Sequence, residues 1–176
     1  MAKCCCGYSA GMKSSSSLLK IRAAVRDDAM QIMRVRREAI LAKAAGHYDP
    51  VTLNDWAGAS DAGRIAKQIY DPDYRVLVAE AGGEIIGFAM VAISKQELRA
   101  LYAKPNPIGN VGAALLAAIE TLAFQTVPSL VCDASLNAEG FYKAHGYVEE
   151  CRKDNISSSG GMVSRVVQMK KHRPNE

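Results

Sequence analysis

Ser135-Leu136-Asn137-Ala138-Glu139-Gly140-Phe141-Tyr142-Lys143-Ala144-His145-Gly146-Tyr147 is the most constrained stretch of this sequence. It reads as a short helix with Asn137 at its N-terminus and Gly146 closing it. Ala138, Phe141 and Tyr142 stand three and four apart and share one face. A phenol is thereby held at a fixed distance from a helix N-terminus. A capped amphipathic helix whose Phe and Tyr merely fill a core is the plainer alternative.

Working upstream, Leu130-Val131-Cys132-Asp133 reads as a short buried strand, with Cys132 as a small hydrophobe rather than a nucleophile. Before it, Ala113 to Gln125 is helical and almost wholly apolar. Alanines at 113, 114, 117 and 118 would let that helix lie close against a sheet. The helix is entered through Pro105-Asn106-Pro107-Ile108-Gly109-Asn110-Val111-Gly112, which follows a strand from about Glu97 to Ala103. Glycines in such a loop let backbone N–H groups turn inward, and the helix N-terminus adds a field favourable to anions. A pyrophosphate is the natural occupant; an ordinary tight connection is the alternative.

Further upstream, Arg75-Val76-Leu77-Val78-Ala79-Glu80 and the run Glu84 to Val91 form the clearest hairpin, joined by Ala81-Gly82-Gly83. Leu19, Ile21 and Ala23 alternate with Lys20 and Arg22 as a first strand. Asp27 or Asp28 can cap a helix in which Ile32, Val35, Ala39 and Ile40 form an apolar stripe. Gly46-His47-Tyr48-Asp49-Pro50 breaks that helix, Pro50 starts another containing Leu53 and Trp56, and a third covers residues 61–70. Two last strands fall near residues 147–153 and 162–170. This order predicts an α/β arrangement around one mixed sheet. Residues 1–17, rich in Ser, Gly and Cys, read as a flexible leader; 18–171 form the domain and 172–176 a short tail.

The 176 residues make one domain's worth of chain, 49% hydrophobic and 23% charged. No run approaches the roughly 18 apolar residues of a membrane span, and no signal peptide is evident. The formal net charge of +4 suits a polyanionic ligand but is too small and dispersed to argue for nucleic-acid binding. Five cysteines without framework spacing predict a reducing cytoplasm. No His or Asp cluster stands beside Cys4-Cys5-Cys6, so no metal site is expected.

The pattern S-x-N-A-x-x-F-Y-x-x-x-G-Y at residues 135–147 resembles the C-terminal motif of the GCN5-related N-acetyltransferases (GNAT superfamily). The resemblance implies the GNAT-like fold, a mixed central β-sheet flanked by helices on both faces, and acetyl-CoA as co-substrate. It also implies that Asn137 contacts the pantetheine arm and that Tyr142 acts as general acid toward the departing thiolate. The loop about 25 residues earlier stands where the family carries Q/R-x-x-G-x-G/A around the CoA pyrophosphate, which assigns cofactor contacts to Ile108, Gly109, Asn110, Val111, Gly112 and Ala113. This chain departs from that pattern, with Asn110 at the first glycine position and Pro107 at the Gln/Arg position. Arg99 to Pro105 resembles the family's fourth strand, so Leu101, Tyr102 and Ala103 are expected to pair with pantetheine like an added strand. A bulge N–H there would polarise the thioester carbonyl.

Attack on the thioester needs a neutral amine, whereas an alkyl ammonium with a pKa near roughly 10 is mostly inert at neutral pH. Glu97 is the first candidate base, followed by His145 and His47. His47-Tyr48-Asp49-Pro50…Trp56 resembles a feature of a subgroup that includes the bacterial acetyltransferase YafP, which points to Tyr48 and Trp56 as acceptor-site residues. Core packing accounts for Trp56 equally well. The expected activity is transfer of acetyl to the primary amine of a small molecule or peptide, without nucleic acid or membrane partners. Exposed C-terminal edge strands allow a homodimer. The rival reading is a non-catalytic acyl-CoA-binding module of the same fold.

Overall fold

Gly82 and Gly83 both take positive φ, 61° and 81°, the backbone a two-residue hairpin turn requires. They join β2 (Tyr74–Ala81) to β3 (Glu84–Ala92), the antiparallel centre of the sheet. The computed structural model describes residues 18–59, 61–105, 109–156 and 163–174. The leader, Cys4-Cys5-Cys6, Pro107 and Ile108 lie outside those residues. β1 (Lys20–Ala23) pairs with β2, and β4 (Glu97–Ala103) with β3, both antiparallel. β5 (Ser129–Ser135) runs parallel to β4, and β6 (Val148–Ile156) and β7 (Val163–His172) complete seven strands ordered β1-β2-β3-β4-β5-β7-β6. The last strand thus enters between β5 and β6, an order that no local pattern announces.

Strand alternation sends apolar side chains to both faces. Val76, Val78, Ile85, Phe88 and Met90 cluster with Ile32 and Val35 of α1 (Ala29–Lys43) and Ile65 of α3 (Ala62–Tyr70). Leu77, Ala79, Ala89 and Val91 cluster instead with Leu115, Leu116 and Ile119 of α4 (Val111–Ala123). A smaller cluster joins Ile40 and Ala44 to Leu53 and Ala57 of α2 (Pro50–Gly58), whose first turn is capped by the Asp49 carboxylate. The helix expected from Asp27 or Asp28 begins there, but the Asp28 side chain makes no cap bond to it. Its buried carboxylate instead takes both terminal nitrogens of Arg22, at 2.7 and 3.0 Å, and the Val25 N–H at 2.8 Å. The guanidinium holds the carboxyl below its ordinary range and ties β1 to the start of α1. No helix among the described residues is long and apolar enough to cross a membrane.

α4 approaches the sheet closely, but not by the means its sequence advertises. Val111, Leu115 and Ile119 face inward, all 0% exposed, while Ala113, Ala114, Ala117 and Ala118 lie on the more open sides. The close approach belongs to Gly87 on β3. A Cβ there would lie 2.8 Å from Val111 Cγ1, 2.9 Å from Leu115 Cδ1 and 3.0 Å from the Tyr102 carbonyl oxygen. Gly87→Ala is therefore expected to overpack the first turn of α4 and lower stability by about 1–3 kcal/mol in urea unfolding. An unchanged midpoint would show that α4 is not seated on this glycine.

Candidate active site

Parallel strands β4 and β5 pair at one register position only, Glu97 opposite Val131, where the Val131 N–H donates to Gln96 O at 2.8 Å. Beyond that point each strand keeps its other neighbour: β4 stays on β3 and β5 stays on β7. The two part into a wedge. Lys104 N–H donates to Ile86 O at 2.9 Å, on the β3 side. Backbone groups alternate sides along a strand, so Tyr102 also faces β3, and the amides of Leu101 and Ala103 face the wedge. Backbone polar groups along such an edge call for a partner. Within β4, Ala100 lies opposite Met90 and Leu98 opposite Val91, leaving Arg99 as the extra residue of a bulge.

α5 (Glu139–Ala144) stands at the open end. Gly146, at φ 85°, donates to Lys143 O at 3.1 Å, and Tyr147 N–H donates to Tyr142 O at 3.1 Å. This paired closure is the Schellman arrangement, and its accompanying apolar contact is the edge-on packing of Tyr142 against Tyr147, centroids 5.3 Å apart. Phe141 braces the other side of Tyr142, also at 5.3 Å. The Tyr142 ring is fixed by two aromatic neighbours while its hydroxyl has no hydrogen-bond partner among the described residues. Burial raises its pKa well above the ordinary phenol value, so the proton stays on.

The N-terminus of α5 differs from the sequence expectation. Ala138, not Asn137, is the N-cap residue, and no side chain caps the helix. Asn137 Oδ1 is instead buried and has no hydrogen-bond partner among the described residues. Asn137 and Tyr142 line one cavity of about 210 Å³, together with Leu101, Tyr102, Ala103 and Gly112. Six of the expected cofactor residues thus meet around a single space. Gly112 reaches it because α4 begins beside α5: a Cβ on Gly112 would lie 3.5 Å from the Phe141 ring. Gly109 takes φ 71°, and the Asn110 side chain makes no cap bond to the first-turn N–H groups of α4. Val111 is fully buried beneath this turn; Gly109, Asn110 and Ala113 do not line the cavity.

The opposite wall comes from α1 and α2. Ala39, Ile40, Lys43 and Ala44 continue one helical stripe along the cavity, and Trp56 joins them. One turn earlier, Arg36 donates to Trp56 O at 2.8 Å and lies 5.8 Å from the Tyr102 ring centroid. The Tyr102 ring stacks on Phe88 at 5.5 Å, so its side chain faces this wall while its neighbours Leu101 and Ala103 pack toward α4. Tyr48 does not line the cavity. Its hydroxyl donates to Arg165 O at 2.9 Å and accepts from the Leu136 N–H at 3.0 Å, and its ring packs edge-on against Trp56 at 5.5 Å. Tyr48 is a latch from the α1–α2 loop to the residue before Asn137.

None of the three candidate bases lines the cavity. Glu97 sits where β4 and β5 still pair, bonded to Arg99 at 2.9 Å. At about 3.3 Å per strand residue it lies roughly 13 Å along β4 from Leu101. His47 is exposed, and His145 Nδ1 lies 2.8 Å from Phe141 O with its ring against Phe141. Cys132 is buried, as expected, and its thiol is pushed up to about 12 by burial. Sequence reasoning missed Lys43 and Arg36; their spacing on the Ala39–Ile40 stripe was the available signal.

Comparison with known proteins places this geometry. A GCN5-related N-acetyltransferase from Rhodopseudomonas palustris matches with a TM-score of 0.79 and 27% identity, over 89% of this chain and 97% of that one. The PaiA N-acetyltransferase of Thermoplasma acidophilum, solved with coenzyme A, gives 0.73 at 23% identity, over 89% and 99%. YncA of Salmonella typhimurium, solved with acetyl-CoA, gives 0.66 at 18% identity, over 91% and 96%. At the latter two identities the likeness is one of fold. No curated protein sequence matched the chain. The splayed parallel pair and the helix motif beside it are accounted for by one assignment: the model of the acetyltransferase (GNAT) domain matches residues 44–172, well over half the sequence, and the chain belongs to that family.

Proposed function

We propose that this acetyltransferase moves the acetyl group of acetyl-CoA onto a primary amine by direct attack in a ternary complex, with Tyr142 as general acid. The observation that carries the reading is that Asn137, whose buried Oδ1 has no hydrogen-bond partner among the described residues, and Tyr142 line one cavity. A pantetheine arm, which carries amide donors and acceptors along an extended chain, fits both Asn137 and the open edge of β4. Leu101 and Ala103 would pair with it as an added strand, and the first-turn N–H groups of α4 would face the pyrophosphate.

The co-substrate supplies a thioester whose carbonyl is open to a neutral amine. As the new C–N bond forms, backbone donors at the β4 edge stabilise the charge gathering on the carbonyl oxygen. When the C–S bond breaks, Tyr142 gives its proton to sulfur and regains one from solvent. The attacking nitrogen loses its proton to water, because no carboxylate or imidazole among the described residues lines the cavity. Trp56 forms part of the acceptor wall, and Tyr48 holds the turn that presents Asn137; this is also the region whose sequence is similar to the YafP subgroup.

Acetyl-CoA at about 100 times its dissociation constant is expected to add roughly 2.7 kcal/mol of stability, read as a raised melting temperature. No shift at millimolar concentration would remove the co-substrate assignment. Tyr142→Phe keeps the ring between Phe141 and Tyr147 and deletes only the donor. Its turnover is expected to fall about 10²–10⁴-fold, with melting temperature and acetyl-CoA affinity nearly unchanged. Full activity in that variant would return Tyr142 to core packing. Tight binding without turnover on any amine would favour the non-catalytic module.

A further inference from the structure

Lys43 closes the α1 stripe that walls the cavity. It makes no ion pair among the described residues, unlike several carboxylates of α1 and the sheet. Glu38 and Glu84 both engage Lys104, Glu97 engages Arg99, and Asp133 engages Lys153 at 2.9 Å. Lys43 is the charged residue of the lining, and Arg36 stands two turns earlier on the same face. Lys43 is an exposed member of the lining, and desolvation on its cavity side lowers its pKa with no counter-charge to offset it. An anion beside it would recover that lost solvation, whereas a polyamine would meet like charge from both residues.

The missing base points the same way. With no carboxylate or imidazole among the described lining residues, the acceptor has to arrive neutral at nitrogen. A lysine-type amine, with a pKa near roughly 10.4, is about 0.1% neutral at pH 7.4, whereas a peptide α-amine near about 8 is neutral to roughly a fifth. An α-amine next to a carboxylate approaches the second case once a cation neutralises that carboxylate. The cavity is small, about 210 Å³, and the end of the pantetheine arm would share it with the acceptor.

From these observations we infer that the acceptor is a small amino-acid-type molecule, acetylated on its α-amine, with its carboxylate held by Lys43. The inference rests on the acetyl-transfer reading above and goes beyond it in naming the acceptor class. The test compares release of CoA thiol from acetyl-CoA across amino acids, the corresponding amino-acid amides and linear polyamines. The amides keep the skeleton, lose the carboxylate and have the more readily neutral amine, so a preference for the acid reports the carboxylate contact alone. The acid is expected to exceed its amide about tenfold or more in kcat/KM. Lys43→Met should bring that ratio to about one through the acceptor KM, and Lys43→Arg should keep it. Preference for amides or polyamines, no turnover with any carboxylate-bearing amine, or an unchanged ratio in Lys43→Met would overturn the inference. The acetyl-CoA melting shift, measured on the same three proteins, separates the two levels. A retained shift with no acid preference sinks only the acceptor class; a shift absent in the unsubstituted protein sinks the acetyl-transfer reading itself. A shift lost only in Lys43→Met would assign Lys43 to the co-substrate and also overturn the inference.

Discussion

The parting of β4 from β5 just past the Glu97–Val131 pair is the constraint on which the rest of this molecule depends. A continuous parallel pair would satisfy its own backbone and leave no room between the strands. Here each strand is held by its other neighbour, β4 by β3 and β5 by β7, over nearly its whole length. The wedge is kept from closing on both faces. On one, α4 is seated on Gly87 and its first turn meets Phe141. On the other, the Tyr48 hydroxyl bridges Leu136 and Arg165, fixing the turn that carries Asn137.

This arrangement explains why polar groups can stay unpaired at the centre of the protein. An unpartnered amide oxygen in a sealed core costs on the order of 1–3 kcal/mol, and evolution rarely leaves one without cause. Asn137 Oδ1 is such a group among the described residues, and Asn137 is one of the residues that line the cavity. The Schellman closure at Gly146 does the complementary work of holding the Tyr142 ring between Phe141 and Tyr147, its hydroxyl without a hydrogen bond to any of the described residues. On the proposed reading, order in the ring and freedom at the oxygen would make Tyr142 a donor positioned before acetyl-CoA arrives.

Much of this was legible in the sequence because it is written in local patterns. The Gly82-Gly83 hairpin, the apolar stripe of α1 and the residues 135–147 motif each specify their element within a dozen residues. What escaped is tertiary. The insertion of β7 between β5 and β6 depends on pairings far apart in the chain. The alanines of α4 looked like its contact face, yet the clearance is provided by a glycine on another strand. Asn137 read as a helix cap, and only the fold shows that Ala138 takes that place and that the Asn137 oxygen makes no bond to the helix. Glu97 looked well placed on β4, but distance along a strand moves it to the closed end of the wedge.

The central claim is that the β4 edge is an unfilled strand position completed by the pantetheine arm of acetyl-CoA. Amide hydrogen exchange, resolved at Leu101 and Ala103 with and without acetyl-CoA, tests it most directly. The account predicts that these two amides exchange readily in the free protein and become strongly protected on binding, while Tyr102 and Lys104, on the β3 side, change little. Binding of acetyl-CoA that leaves Leu101 and Ala103 as exchangeable as before would contradict it.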